Sequence, residues 1–154
     1  MASLFDTTRN FSFYAPPAAW LLAFIPHAIA ASLSKTFDNR SPRTYVKSLE
    51  ADQTIDKATK DLIIRCEGAQ SNGFENLGLF AAAVVAGNVA GLPAQTLNTL
   101  CALYLATRVV YTGLYITNTS AVMAGARSVV FTTGVGLCCT LFVKSGNAVR
   151  EGGL

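Results

Sequence analysis

Three stretches of this chain are apolar over about the length of a hydrocarbon core and one more over part of that length, and polar or turn-forming residues separate the four. The first runs from Tyr14 to Leu33, with Pro16 and Pro17 at its start and Pro26 inside. The second, residues 62–87, is apolar only in its later half. The third covers Ala94 to Thr117 and the fourth Ala121 to Val143. Between the first two lies the only sizeable polar segment, residues 35–61, where Asp56 to Asp61 can begin the second helix. Asn88 to Pro93 makes an uncharged turn, and Asn118 to Ser120 a shorter one. The pattern predicts an all-α protein of four long helices, read as a single four-span membrane domain over residues 1–154. The opening span is expected to be a retained helix. The lead before it carries Asp6 and one cation, Arg9, and the span is long for the apolar core of a signal peptide.

Composition agrees with the pattern. Hydrophobic residues make up 51% of the 154 residues and charged residues 14%, well below the roughly 25% of a soluble domain. A net charge of +3 without a basic stripe gives no basis for nucleic-acid binding. Cys66, Cys101, Cys138 and Cys139 sit in apolar stretches without metal-ligand spacing, so they are expected to pack as small hydrophobes. No metal site is expected.

Six of the twelve Lys and Arg residues fall in the 35–61 segment. The positive-inside rule therefore puts that segment in the cytosol and both termini on the other side. The sequons at Asn10 and Asn118 are expected to stay unmodified, one being close to the membrane and the other cytosolic. With this topology the ionisable groups of three spans fall at one depth. Arg65, Glu67 and Glu75 lie in the cytosolic half of the second span, Arg108 near the cytosolic end of the third, and Arg127 in the first turns of the fourth. Arg65, Gly68, Asn72, Glu75 and Leu79 share one helical stripe, as do Tyr104, Arg108, Tyr111 and Tyr115. Each arginine at that depth costs roughly 2.5–3.5 kcal/mol on insertion scales, which pairing with Glu67 or Glu75, or with a bound anion, would offset. Taken singly, each residue has a plainer reading. Asn72 and Glu75 can bond between helices, Arg108 can partner Glu75, the tyrosines can be interfacial, and Arg127 can snorkel. Convergence of three spans on one level is less well explained that way. His27, beside Pro26, is expected to be a packed, hydrogen-bonded residue at a kink.

These strings resemble the MAPEG family, the membrane-associated proteins in eicosanoid and glutathione metabolism. A-Q-S-N-G-F-E-N, Ala69 to Asn76, is similar to the family's A-x-x-N-x-x-E-N pattern. R-V-V-Y-T-G-L-Y, Arg108 to Tyr115, is similar to R-x-x-(Y/H)-x-x-x-Y, and A-R-S at Ala126 to Ser128 to the arginine that opens the fourth helix. The overall flavour, including Trp20 to His27, is similar to that of the fungal branch. The resemblance implies a left-handed four-helix bundle, assembled as a homotrimer in the endoplasmic reticulum membrane, with glutathione as cofactor between subunits. It implies that Asn72 and Glu75 hold the peptide's polar groups, that Arg108 orients Glu75 or reaches the ligand, and that Tyr111 and Tyr115 line the pocket. Gln70, Arg65 and Lys35 complete the expected glutathione set, with Arg127 beside the sulfur and Ser128 as a donor to it. Gly68 stands where many members carry an arginine. The implied activity is a glutathione transferase or peroxidase acting on an apolar or lipid-like substrate. The alternative is a non-catalytic, lipid-presenting member resembling five-lipoxygenase activating protein.

Overall fold

In the computed structural model, residues 8–34, 36–38 and 40–152 are described. Among them are five α-helices: α1 (Ala15–Leu33), α2 (Tyr45–Ala51), α3 (Lys57–Val89), α4 (Ala94–Thr117) and α5 (Ala121–Gly152). Four are long, and α3 packs against each of the other three. Three segments, Ser12–Leu33, Ala94–Thr117 and Ala121–Gly152, are long and apolar enough to cross a membrane. Large apolar side chains such as Leu21, Ile25, Val109, Val110, Val129 and Val143 point outward from them, as lipid contact requires.

The helix ends follow local chemistry. Asp56 caps α3, its Oδ1 accepting from the Thr59 backbone N–H at 3.0 Å and its Oδ2 from the Thr59 hydroxyl at 2.7 Å. No proline interrupts the 33 residues that follow. At the far end Gly91 takes φ +68°, and the Leu92 N–H reaches back to the Gly87 carbonyl at 3.0 Å, closing the helix with a Schellman turn. Ser120 opens α5 by accepting from the Met123 N–H at 3.3 Å.

Two boundaries differ from the sequence pattern. The fourth apolar stretch was expected to end at Val143, but α5 continues to Gly152. Nothing after Lys144 stops a helix, and the Ser145 hydroxyl settles on the Leu141 carbonyl at 2.7 Å. The polar 35–61 segment contains α2, which hydropathy does not announce. Its Tyr45 and Leu49, one turn apart, are buried with Ala30, Ile63 and Cys66, and the Tyr45 hydroxyl donates to the Ala30 carbonyl at 2.9 Å. Burial pushes the Tyr45 phenol above its ordinary pKa. Beyond α2, hydrogen bonds from Thr36 and Thr54 hold the Asp52 carboxyl down to about 2, tying the connection from α1 to the one leading into α3.

Small residues let α1 and α3 approach closely. Ala15, Ala19, Ala23 and Ala30 are the buried alanines of α1, and a Cβ built on Gly73 would lie 2.7 Å from the Ala23 Cβ and 3.1 Å from its Cα. That neighbour is backbone and cannot rotate away. Gly73→Ala is therefore expected to lower stability by about 1–3 kcal/mol through overpacking. Gly78 has nothing within 4 Å of its Cβ position, so Gly78→Ala is expected to leave stability unchanged or raise it by up to about 1 kcal/mol. Thermal denaturation of the two variants in detergent checks the contrast.

At the end of the bundle that carries the 88–93 turn, asparagines fasten the N-terminal segment. The Asn10 amide donates to Asn88 Oδ1 at 2.6 Å, Asn88 donates to the Ser12 hydroxyl at 2.9 Å, and Asn98 Oδ1 accepts from the Phe11 N–H at 2.8 Å. The opposite end of the bundle holds most of the ionisable groups.

Candidate functional site

The core just inside that opposite end is aromatic and cationic at once. Phe80 of α3 stacks on Tyr104 of α4, ring centroids 3.8 Å apart. One turn on, Arg108 is only 6% exposed. Its guanidinium carbon lies 4.6 Å from the centre of the Tyr111 ring, 5.6 Å from Tyr104 and 5.9 Å from Phe131. The ring faces carry negative potential, which partly offsets the burial of the charge. Arg108 Nη1 donates to Asn72 Oδ1 at 3.2 Å, while its buried Nε has no hydrogen-bond partner. The layer continues along α4. Tyr111 is 5.7 Å from Tyr115, ring to ring, and the Arg127 guanidinium of α5 sits 4.3 Å from the Tyr115 ring centre. Asn72, Arg108, Tyr111, Tyr115 and Arg127 thus form one contiguous chain of contacts across α3, α4 and α5. Arg127 has no hydrogen bond or ion pair among the described residues.

The expected pairing of Arg108 with Glu75 does not occur, because Asn72 takes its place. Asn72 and Glu75 are three residues apart and so about 60° apart around the helix. Asn72 faces α4 and Glu75 is exposed. Pairing of an arginine with Glu67 is not seen either. The partner of Glu67 is His27, whose Nδ1 lies 2.8 Å from Oε1. His27 is thus packed and hydrogen-bonded, as expected of it. Arg65 donates from Nε to the Ile116 carbonyl at 2.8 Å, satisfying one of the orphan acceptors at the end of α4. Ser128 is exposed, and its hydroxyl donates to the Ala124 carbonyl at 3.1 Å within its own helix. Lys35 lies outside the described residues.

Gln70 points away from the Arg108 layer. It lines a second feature, a cleft of about 520 Å³ between α1, the Pro42–Thr44 turn and α3, together with His27, Arg43, Tyr45 and Glu67. Gly68 joins the two features. It borders this cleft, and a Cβ built on it would fall 2.6 Å from the Tyr115 hydroxyl and 3.0 Å from the Tyr115 ring. The absent side chain is therefore replaced by a phenol from α4.

Phe131 was not anticipated. It lies four residues after Arg127, on the same face of α5, and that spacing was the available signal. The cysteines behave as small hydrophobes: Cys66, Cys101 and Cys138 are buried, Cys139 is exposed, and all four are free thiols.

The MAPEG family model matches residues 14–147. No curated protein and no solved structure matches the chain.

Proposed function

The chain belongs to the MAPEG family, and from that premise we propose that it is a membrane-bound glutathione transferase or peroxidase. In this reading α3 is the second of four crossings of a single four-span domain. Its polar half turns inward, the 35–61 segment is cytosolic, and the protein assembles as a homotrimer in the endoplasmic reticulum membrane. Glutathione binds in the cytosolic half, its thiol beside Arg127. Glu75, exposed along α3, is then a group that a neighbouring copy covers.

One observation carries the proposal. The Arg127 guanidinium carbon lies over the Tyr115 ring, 4.3 Å from its centre, and its N–H donors have no partner among the described residues. A permanently charged group with free donors, in a half-buried position, is a receptor for an anion. A thiol of pKa near 8.5 is mostly protonated at neutral pH, and such a neighbour favours the thiolate, which is the nucleophile. An apolar electrophile or lipid hydroperoxide reaches the sulfur from the lipid side. Asn72 fixes Arg108, Arg108 lies over Tyr111, and Tyr111 packs on Tyr115, so the Arg127 platform is held by packing rather than by a loop.

A second reading has its own observation. Leu103, Ala106, Val110, Val130 and Leu137 line an apolar groove of about 280 Å³ between α4 and α5, suited to a lipid chain that is presented without reacting. The two readings part on one measurement with the protein purified in detergent. The enzyme produces an ultraviolet thiolate band when glutathione is added, together with conjugation of a generic electrophile. Glutathione bound with no thiolate band, or not bound at all, defeats the transferase reading and favours the lipid-presenting one.

A further inference from the structure

We propose that the seam between α4 and α5 holds one anionic phospholipid, with its phosphate at Lys144 and one acyl chain laid along the groove toward Val110. The site uses no glutathione chemistry, so it stands or falls apart from the transferase reading. To the groove of the lipid-presenting reading it adds a head group and the end at which that group is held.

The two helices run antiparallel, and their contacts fix the register. Leu97 of α4 and Leu141 of α5 both reach Gly87 of α3, and a Cβ built on Gly134 would lie 3.1 Å from Thr107 Oγ1. Toward the end that carries the 88–93 turn, Gln95, Thr96, Thr99, Leu100 and Lys144 line a cleft of about 250 Å³. Further along, the apolar groove of about 280 Å³ runs from Leu103 to Val110 on α4 and from Leu137 to Val130 on α5. Thr96, Leu100, Leu103, Thr107 and Val110 follow steps of three and four, so they lie on one face of α4. Lys144, Leu137, Thr133 and Val130 share a face of α5 by the same rule. The cleft and the groove are therefore consecutive parts of one seam. From Thr96 to Val110 it extends about 21 Å at 1.5 Å per residue. That exceeds half of a hydrocarbon core of about 30 Å, so a chain whose head sits at Lys144 stays on the seam throughout its own leaflet.

The seam changes character along its length. Thr107 and Thr133 line the groove, but their hydroxyls are committed to the Tyr104 and Val129 carbonyls at 2.7 and 2.9 Å. They offer the groove no free donor. Around Lys144 the reverse holds. The Gln95 amide, the Thr96 and Thr99 hydroxyls and the Lys144 ammonium form no side-chain hydrogen bond or ion pair among the described residues. A phosphate offers several acceptor oxygens to such a set, one of its donors being charged. No carboxylate lines the cleft, and Glu151, the one acid of α5, lies against Arg150 at 3.6 Å. A choline or ethanolamine group finds no partner here, so the site favours a phospholipid whose head is anionic.

The test is native mass spectrometry of the full chain in detergent, titrated with dioleoyl phosphatidylglycerol and dioleoyl phosphatidylcholine, which share their chains and differ in head-group charge. Wild type is expected to hold the glycerol lipid about fivefold to tenfold more tightly, the contribution of one cation to an anionic lipid. Lys144→Gln is expected to bring the two lipids within about twofold, while Arg150→Gln, farther along α5, leaves the preference intact. Ala106→Phe, which fills the groove, is expected to weaken both lipids alike. Equal binding of the two by wild type overturns the inference, and so does a preference that survives Lys144→Gln or is lost in Arg150→Gln. Undiminished binding by Ala106→Phe removes the chain from the groove and overturns it too. Each of these outcomes leaves the glutathione reading as it was. Lys144 is exposed and its substitution spares the fold, so wild type and Lys144→Gln decide the matter even if Ala106→Phe fails to fold.

Discussion

Arg127→Ala is expected to abolish the thiolate band of bound glutathione and to lower turnover by about 10²–10³, the cost of removing one preorganised charge-stabilising group. A unit charge about 4 Å away is worth about 4 kcal/mol at an effective dielectric of about 20, or about three pKa units. That is enough to carry a thiol from mostly protonated to mostly ionised at neutral pH. Arg127 is suited to this because no carboxylate pairs with it among the described residues and its guanidinium carbon lies 4.3 Å from the Tyr115 ring centre. The loss should fall on kcat and on the thiolate band more than on glutathione affinity, since the peptide's other charges lie elsewhere. Arg127→Lys retains the charge but not the planar, multi-donor guanidinium, so an intermediate rate is expected. Spectroscopic titration and steady-state kinetics at neutral pH read both effects. A thiolate band of full strength in Arg127→Ala would remove Arg127 from the chemistry.

Arg108→Ala is expected to be the most destabilising single change in the bundle, at about 3–5 kcal/mol. Truncating a side chain this buried leaves a cavity, worth about 2–5 kcal/mol for large side chains. It also strips the part-buried Asn72 of the partner it holds at 3.2 Å, a loss of up to about 1 kcal/mol. The two terms overlap, because a cavity beside Asn72 can admit water. Arg108→Met separates volume from charge. Arg108 is buried without a carboxylate and with Nε unpaired, and desolvating a charge costs several kcal/mol. Methionine fills similar space among Tyr104, Tyr111 and Phe131 and removes that cost, so it is expected to be much less destabilising than alanine. Thermal denaturation in detergent measures both. Equal losses for alanine and methionine would mean that the guanidinium's polar contacts, not its volume, hold this layer together.

Much of this was legible along the chain. The i, i+3, i+4 spacing of Tyr104, Arg108, Tyr111 and Tyr115 placed them on one face, and the first three of that face are buried. Asp56 at the head of α3 and the Gly91 turn at its end were readable as the limits of a helix. Other features were not legible, because they depend on which way a stripe faces. Asn72 and Glu75 share a motif and a stripe, but about 60° of helix rotation sends one to Arg108 and the other to the surface. Gln70 and Asn72, two residues apart, are about 160° apart and serve different features. The partner of Glu67 came from α1, 40 positions earlier, a separation that no local pattern encodes.

By itself the sequence determined the four long helices, though neither α2 nor the extension of α5 past Val143, the scarcity of charge that marks a membrane protein, and the family. Periodicity and side-chain chemistry are local, and they need only the chain. Tertiary packing alone decided that Tyr115 fills the space beside Gly68, that Arg127 lies on that ring, and that Glu67 answers to His27 and not to an arginine. Those outcomes depend on the rotation and depth at which helices dock. Small residues such as Ala23 and Gly73 set that docking through close contact between segments far apart in the chain.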